Sequence, residues 1–374
     1  MTSCLQKRII LIVFICCIGL FPLWLYLFMD TVRDYATTIS RHDVHPRNNT
    51  KIILFWNTMF EDKNFYFGWP NPFAQCPVND CYATNNRLFM DIVNYDAILF
   101  HGNEIGDWPS RRSPQQWYVY VNLESPENRK VPAILSRDYF NLTMTYRLDS
   151  DIVWPYGVVK DIQTNEIVAP LANTTWQPYQ NRVSLELSKI IRGKEKAVSW
   201  LVSNCKAGSG REAYVKELSR HIEVDIYGNC GPFKCSRSTD CHGKLLEPRY
   251  FFYLSFENSL CRDYVTEKLY DALRYHTIPI VYGGANYSIF APPKSYIDAL
   301  DFDLPEDLAQ YLQFLMRHPN EYAKYFAWKN YYYIDGGVAR AKCQLCAFLH
   351  QKTKAKSYKS LSEWESSIRL AGDT

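Results

Sequence analysis

Residues 249–284, RYFFYLSFENSLCRDYVTEKLYDALRYHTIPIVYGG, decide how this chain folds. Tyr250 to Phe256 is an apolar, aromatic run suited to a strand buried on both faces. The polar crossing ENSLCRDYVTEK follows, and a packed core would not accept it unsatisfied. Leu269, Ala272, Leu273 and His276 then recur at i, i+3, i+4 and i+7, the spacing of one helix face. Ile278 to Tyr282 is a second apolar strand, closed by Gly283-Gly284. The pattern predicts a β-α-β unit. Its polar crossing falls where a strand's carboxyl end meets a helix amino end, the usual ligand position of open α/β sheets.

The same alternation extends upstream. Residues 197–202 read as a strand, SNCKAGSG (203–210) as a loop, 211–221 as a helix and 223–227 as a strand. A cysteine-bearing insertion fills 230–248. Together with a connecting helix over 183–191 and a helix over 311–326, these elements predict a doubly wound domain spanning 183–350. Nearer the amino end, KIILFWN from Lys51, DAILFH (96–101) and WYVYVNL (117–123) are strand-like. An irregular aromatic stretch (64–82) and a Gly, Pro, Ser and Arg loop (102–116) separate them. They predict another α/β domain over 51–165, with 155–181 as a linker. Residues 351–374, rich in Lys and Ser, read as a mobile C-terminal tail.

Apolar residues make up 47% of the 374, ample for two cores, and the net charge is +3. No dense Lys/Arg stripe runs along the chain, which disfavours nucleic-acid partners. Residues 9–29 form an uncharged run of 21, enough to cross about 30 Å of hydrocarbon. Lys7 and Arg8 precede it, so the positive-inside bias keeps residues 1–8 cytoplasmic and the remainder lumenal or extracellular. No small-x-small cleavage site follows the run, which favours an uncleaved anchor over a signal peptide. Residues 30–50 then form a polar stem. Twelve cysteines suit that compartment. Nine lie beyond the anchor: Cys76, Cys81, Cys205, Cys230, Cys235, Cys241, Cys261, Cys343 and Cys346. An odd number leaves at least one unpaired, and spacing alone fixes no connectivity. Sequons at Asn48, Asn141, Asn173 and Asn286 agree with a secretory lumen. These features predict a single-pass type II membrane protein.

Two crossings carry candidate chemistry. Tyr264, Glu267 and Lys268 lie at the start of one helix, and Arg211 starts the helix of the preceding crossing. Helix starts favour anions, Lys268 and Arg211 add full charges, and the Glu267 carboxylate suits a pair of sugar hydroxyls. A diphosphate with its ribose would satisfy all four. The bland alternative is a surface Glu and Lys at a helix start. No P-loop or G-x-G-x-x-G occurs. Asp149-Ser150-Asp151 has the D-x-D form that can hold a divalent metal, but it lies in the first domain, and a structural role is preferred. CQLC (343–346) is read as disulfide cysteines, so no metal site is assigned.

SFENSLCRDYVTEKLYDAL with IPIVYGG resembles the signature block of the α1,3-fucosyltransferases, glycosyltransferase family 10. WYVYVNLESPEN (117–128), NLTMTYRLDSDIVWPYG (141–157), the VSNC loop and the C-terminal CxxC match in order and spacing. The resemblance implies two Rossmann-like domains of GT-B type facing across a cleft, and an inverting enzyme anchored in the Golgi membrane. It implies GDP-fucose as donor and a GlcNAc-containing glycan as acceptor. No cofactor is required, with stimulation by Mn2+ left open. By position, Glu124 of ESP becomes the general base. Arg211, Tyr264, Glu267 and Lys268 become donor-binding residues, with Asn204 and Asn258 in the VSN and FEN motifs. His101 matches the start of an acceptor-side motif, though Gly102 and Asn103 depart from it and leave the acceptor undecided between antenna and core GlcNAc. The resemblance further implies that Cys343 and Cys346 join Cys76 and Cys81, and that Cys205 pairs among Cys230, Cys235, Cys241 and Cys261. A glycan-binding pseudoenzyme is the rival from another class.

Overall fold

The computed structural model describes residues 49–102, 106–129, 131, 137–180, 184–236, 239–353 and 356–366. The expected cytoplasmic tail, the anchor over 9–29, nearly all of the stem and the Asn48 sequon lie outside them. Among the described residues no helix is long and apolar enough to cross a membrane.

Six strands make the first sheet: β1 (Lys51–Phe55), β2 (Cys81–Thr84), β3 (Ala97–His101), β4 (Trp117–Asn122), β5 (Leu142–Thr145) and β6 (Ile152–Val153). All pair in parallel, in the order β2-β1-β3-β4-β5-β6. Most are short and largely apolar because both faces are covered, and every residue of β3 and β5 is buried, the β5 threonines included. The stretch 155–181, expected as a linker, instead contains β7 (Gly157–Asp161) and β8 (Ile167–Ala169).

The second half opens with α1 (Leu185–Arg192), whose N-cap Ser184 side chain accepts from the Leu187 N–H at 3.0 Å. β9 (Lys196–Leu201), α2 (Arg211–Leu218), β10 (Val224–Tyr227), β11 (Tyr250–Phe256), α3 (Glu267–Leu273), β12 (Ile278–Tyr282) and β13 (Ile297–Asp298) follow. The five strands are again all parallel, in the order β10-β9-β11-β12-β13. The predicted β-α-β unit is therefore β11-α3-β12, and both sheets wind in the sense 2-1-3-4-5. The helix expected over 311–326 starts earlier and breaks. α4 (Pro305–Arg317) begins on a proline, where no N–H is needed, and Pro319 starts a new helix, α5 (Pro319–Ala323), followed by a tight turn over 324–330.

The chain then returns to its beginning. β14 (Tyr332–Gly336) pairs antiparallel with β7. Gly337 follows because a Cβ there would sit 1.6 Å from the Pro155 carbonyl oxygen. α6 (Val338–Leu349) buries Ala341, Leu345, Cys346 and Leu349 in the core beneath β1, β3 and β4. Two disulfides secure it, Cys76–Cys343 and Cys81–Cys346. Cys205 pairs with Cys230 and Cys235 with Cys241, which leaves Cys261 buried as the free thiol among the described residues. The tail expected to be mobile is packed where it is described. Residues 361–366 form α7 (Leu361–Ser366), and fully buried Leu361 enters the other face of the first sheet beside Ile52, Tyr118 and Tyr120.

Asn173 and Asn286 are exposed. The Asn141 amide is hydrogen-bonded at both ends: its Oδ1 takes the Tyr118 N–H at 2.8 Å, and its Nδ2 donates to the Lys356 carbonyl at 2.6 Å. A glycan on that nitrogen would replace one of its two hydrogens and would have to fit beside the Lys356 carbonyl.

Candidate active site

Gly210 sits at φ +75°, a left-handed conformation that ends the 203–210 loop and aims α2 at the carboxyl ends of β9 and β11. The loop is stitched to the next crossing. Ser209 Oγ donates to the Glu257 carbonyl at 2.8 Å and its N–H to the Asn258 carbonyl at 3.2 Å. On the first sheet, β4 ends at Asn122, whose Oδ1 accepts the Glu124 N–H at 3.0 Å. The Ser125 and Ser259 hydroxyls share a hydrogen bond at 2.7 Å, both fully buried, so the two sheets are joined directly beside Glu124.

A cleft of about 760 Å³ opens over this seam. Glu124, Asn204, Arg211, Asn258, Tyr264, Glu267 and Lys268 all line it, although the first is 80 residues or more from the others in sequence. Glu124 is half-buried, and the Tyr264 hydroxyl approaches its Oε2 at 3.4 Å. Tyr264 packs edge-on against Tyr146, and burial pushes its hydroxyl pKa far up, so it remains a neutral donor.

Lys268 lies between two carboxylates in the cleft. Its Nζ lies 3.1 Å from Glu257 Oε2, 3.2 Å from Glu267 Oε1 and 2.8 Å from Thr266 Oγ1. Burial works to lower its pKa, but the two carboxylates overcome that and raise it. Crowding by the cleft walls works to raise Glu267, whose side chain is still 55% exposed, and Lys268 holds it below the usual range. Glu257 is only 1% exposed, and burial keeps its carboxyl high despite Lys268. Its oxygens also take the Thr266 N–H at 2.8 Å and hydroxyl at 2.9 Å. Glu257 thus builds the start of α3 from behind. Sequence reasoning did not single it out, although a glutamate at the end of an otherwise apolar strand was the available signal.

Arg211, expected among the donor-binding residues, lines the cleft but is almost wholly buried. Its side chain is 3% exposed, the guanidinium donating to the Phe256 carbonyl at 2.7 Å and the Asn204 carbonyl at 2.9 Å. It therefore fixes both crossing loops, while its edge still reaches the cleft wall. Asn204 closes a local turn, its Oδ1 accepting from the Lys206 N–H at 3.2 Å. His101 is not brought to the cleft. It is fully buried at the end of β3, its Nδ1 3.1 Å from the Thr58 carbonyl and its ring against Phe60 and Phe65. The far end of the cleft adds His242, Tyr253 and Tyr275 from the insertion and its surroundings, which the sequence left unassigned. The His242 ring is stacked near Tyr275, and burial lowers its pKa to about 4, so it presents a neutral imidazole.

The D-x-D pair is occupied within the protein. Asp149 takes Arg147 at 2.7 Å, and Asp151 takes the Thr143 N–H at 3.0 Å and the Tyr358 hydroxyl at 2.9 Å. Among the described residues, one group has metal-ligand proximity, Cys81, Cys346 and His350, but its two sulfurs already form a disulfide.

Two family models match the chain, "Fucosyltransferase, N-terminal" over residues 48–157 and "Glycosyltransferase family 10 (fucosyltransferase) C-term" over 191–364. Alpha-(1,3)-fucosyltransferase C of Drosophila melanogaster is 40% identical over 333 residues, covering 84% of this chain and 78% of that protein. Glycoprotein 3-alpha-L-fucosyltransferase A of the same organism is 39% identical over 78% of this chain and 55% of its own length. A crystal structure of an alpha1,3-fucosyltransferase with GDP-fucose aligns at TM-score 0.49 and 18% identity, over 82% of this chain and 93% of that one. With both halves matched in order and a 40% identical relative covered over most of its length, the chain belongs to glycosyltransferase family 10, the fucosyltransferases.

Proposed function

We propose that this protein transfers L-fucose from GDP-fucose to the 3-hydroxyl of N-acetylglucosamine on glycoprotein or glycolipid glycans, with inversion at the transferred carbon. The observation that carries this reading is the placement of Glu124 and Lys268 in one cleft, contributed by opposite sheets. A carboxylate facing a cationic helix start has the polarity the reaction needs. As the acceptor oxygen bonds to the fucose C1, the bond from C1 to the β-phosphate oxygen breaks, and Glu124 takes the acceptor proton. Inversion requires base and leaving group on opposite faces of the sugar, so a base in one sheet and an anion site in the other fit it. Lys268 stabilises the departing diphosphate, and Glu267 receives the ribose hydroxyls. Arg211 contributes mainly by holding both loops around the nucleotide. The related Drosophila proteins, by their names, support fucose as the sugar and the α1,3 linkage.

The protein is proposed to act in the Golgi lumen, anchored by residues 9–29. Incubating the full-length protein with GDP-fucose and either a lactosamine antenna or an N-glycan core tests the reading. Fucosylation of one acceptor supports it and identifies the acceptor. Binding of GDP without turnover on either acceptor points to a glycan-binding pseudoenzyme.

A further inference from the structure

We propose that Glu365, on the C-terminal helix α7, is a positioning residue that sets the backbone of Glu124 through a run of three aligned hydrogen bonds. The inference rests on Glu124 being the base. The Glu124 N–H donates to Asn122 Oδ1 at 3.0 Å, Asn122 Nδ2 donates to Tyr120 Oη at 3.0 Å, and the Tyr120 hydroxyl donates to Glu365 Oε1 at 2.6 Å. Tyr120, Asn122 and Glu124 alternate along β4 and its extension, so their side chains share one face of the strand. Every donor points toward the Glu365 carboxylate, so each bond polarises the next.

The members are held as a unit. Tyr120 is 1% exposed, Asn122 2% and Glu365 7%. Arg147 fastens the carboxyl end of α7, donating to the Trp364 carbonyl at 2.5 Å and the Glu365 carbonyl at 3.2 Å, with its guanidinium 4.4 Å from the Trp364 ring centre. Asp149 fixes Arg147 in turn at 2.9 and 2.7 Å. Trp364, Glu365 and Asn122 line one small recess together with Glu124. Glu124 lies just past the last ladder pair of β4, so Asn122 supplies the constraint that strand pairing no longer provides. The run gives the carboxylate buried in α7 a hydroxyl donor 245 residues away in sequence, as a buried polar group requires.

Steady-state kinetics on the full-length protein test this, with melting temperature and GDP affinity measured alongside. Glu365→Ala and Tyr120→Phe should each lower kcat about tenfold while leaving the KM for GDP-fucose within about twofold, as expected when a base is displaced but the donor site is intact. The double variant should be no slower than either single one, because both cut the same run. Glu365→Gln keeps an acceptor oxygen and should recover most of the rate. Unchanged kcat in Glu365→Ala that binds GDP normally, or losses that multiply in the double variant, would overturn the proposal. If Glu365→Ala does not fold, the same kinetic split in Tyr120→Phe decides. A Glu124→Gln variant with full turnover would instead remove the base assignment itself.

Discussion

Both sheets wind alike, yet their switch points have opposite fates. In the second sheet the crevice between β9 and β11 stays open, and the loops leaving those strands line the cleft. In the first sheet the equivalent crevice between β1 and β3 is filled. Asn57 and His101 exchange hydrogen bonds at 2.8 Å across it, and Phe60 and Phe65 close over the imidazole. The carboxylate proposed as the base, Glu124, appears one strand further on, after β4. A doubly wound topology offers a ligand crevice, but side chains decide whether it is used. The open crevice carries buried, mutually compensated charge, and the plugged sheet contributes a single half-solvated acid.

That contrast can be broken from either side. Glu124→Gln should cut turnover by about 10²–10⁴-fold while melting temperature and GDP-fucose affinity stay unchanged. Kinetics with a binding assay check this, and near-normal turnover would place the base elsewhere. Lys268→Ala should act on both stability and donor binding, since it strands buried Glu257 without its cation. A loss of about 3–5 kcal/mol is expected, read by denaturant unfolding, together with weaker GDP binding by calorimetry. Arg211→Lys should cost less, about 1.5–3 kcal/mol, because an ammonium cannot copy the fork that reaches the Phe256 and Asn204 carbonyls. Unfolding curves would register it. The smallest effect is expected from EDTA, which should leave turnover unchanged, since Asp149 and Asp151 are already held by Arg147, Thr143 and Tyr358. Complete loss restored by manganese would contradict that.

The β11-α3-β12 unit, strands β1, β3, β4, β9 and β10, and the residues meeting in the cleft were legible because each depends on local periodicity and on motif order. What escaped depends on distant partners. β7 pairs with β14 across more than 170 residues, so 155–181 lacked any local reason to look like strands. Residues 356–366 are polar and Lys- and Ser-rich, and only Leu361 and Glu365 are buried there, too few to give a pattern. His101 matched a motif by position, but burial is set by Phe60 and Phe65, which no spacing rule connects to it. Arg211 was legible as a charge at the cleft, whereas its attachment to two carbonyls was not.

The return of α6 and α7 to the first sheet sets the order in which the molecule can be finished. A ribosome delivers β1 to β6 early, but the helix that covers one of their faces and the Leu361 that enters the other emerge only after the whole second sheet. The portion translated first is therefore completed last. Until α6 and α7 are made, the strands of the first sheet present uncovered apolar surface, and a stop before residue 338 would damage β1 to β6 rather than the elements made just before it.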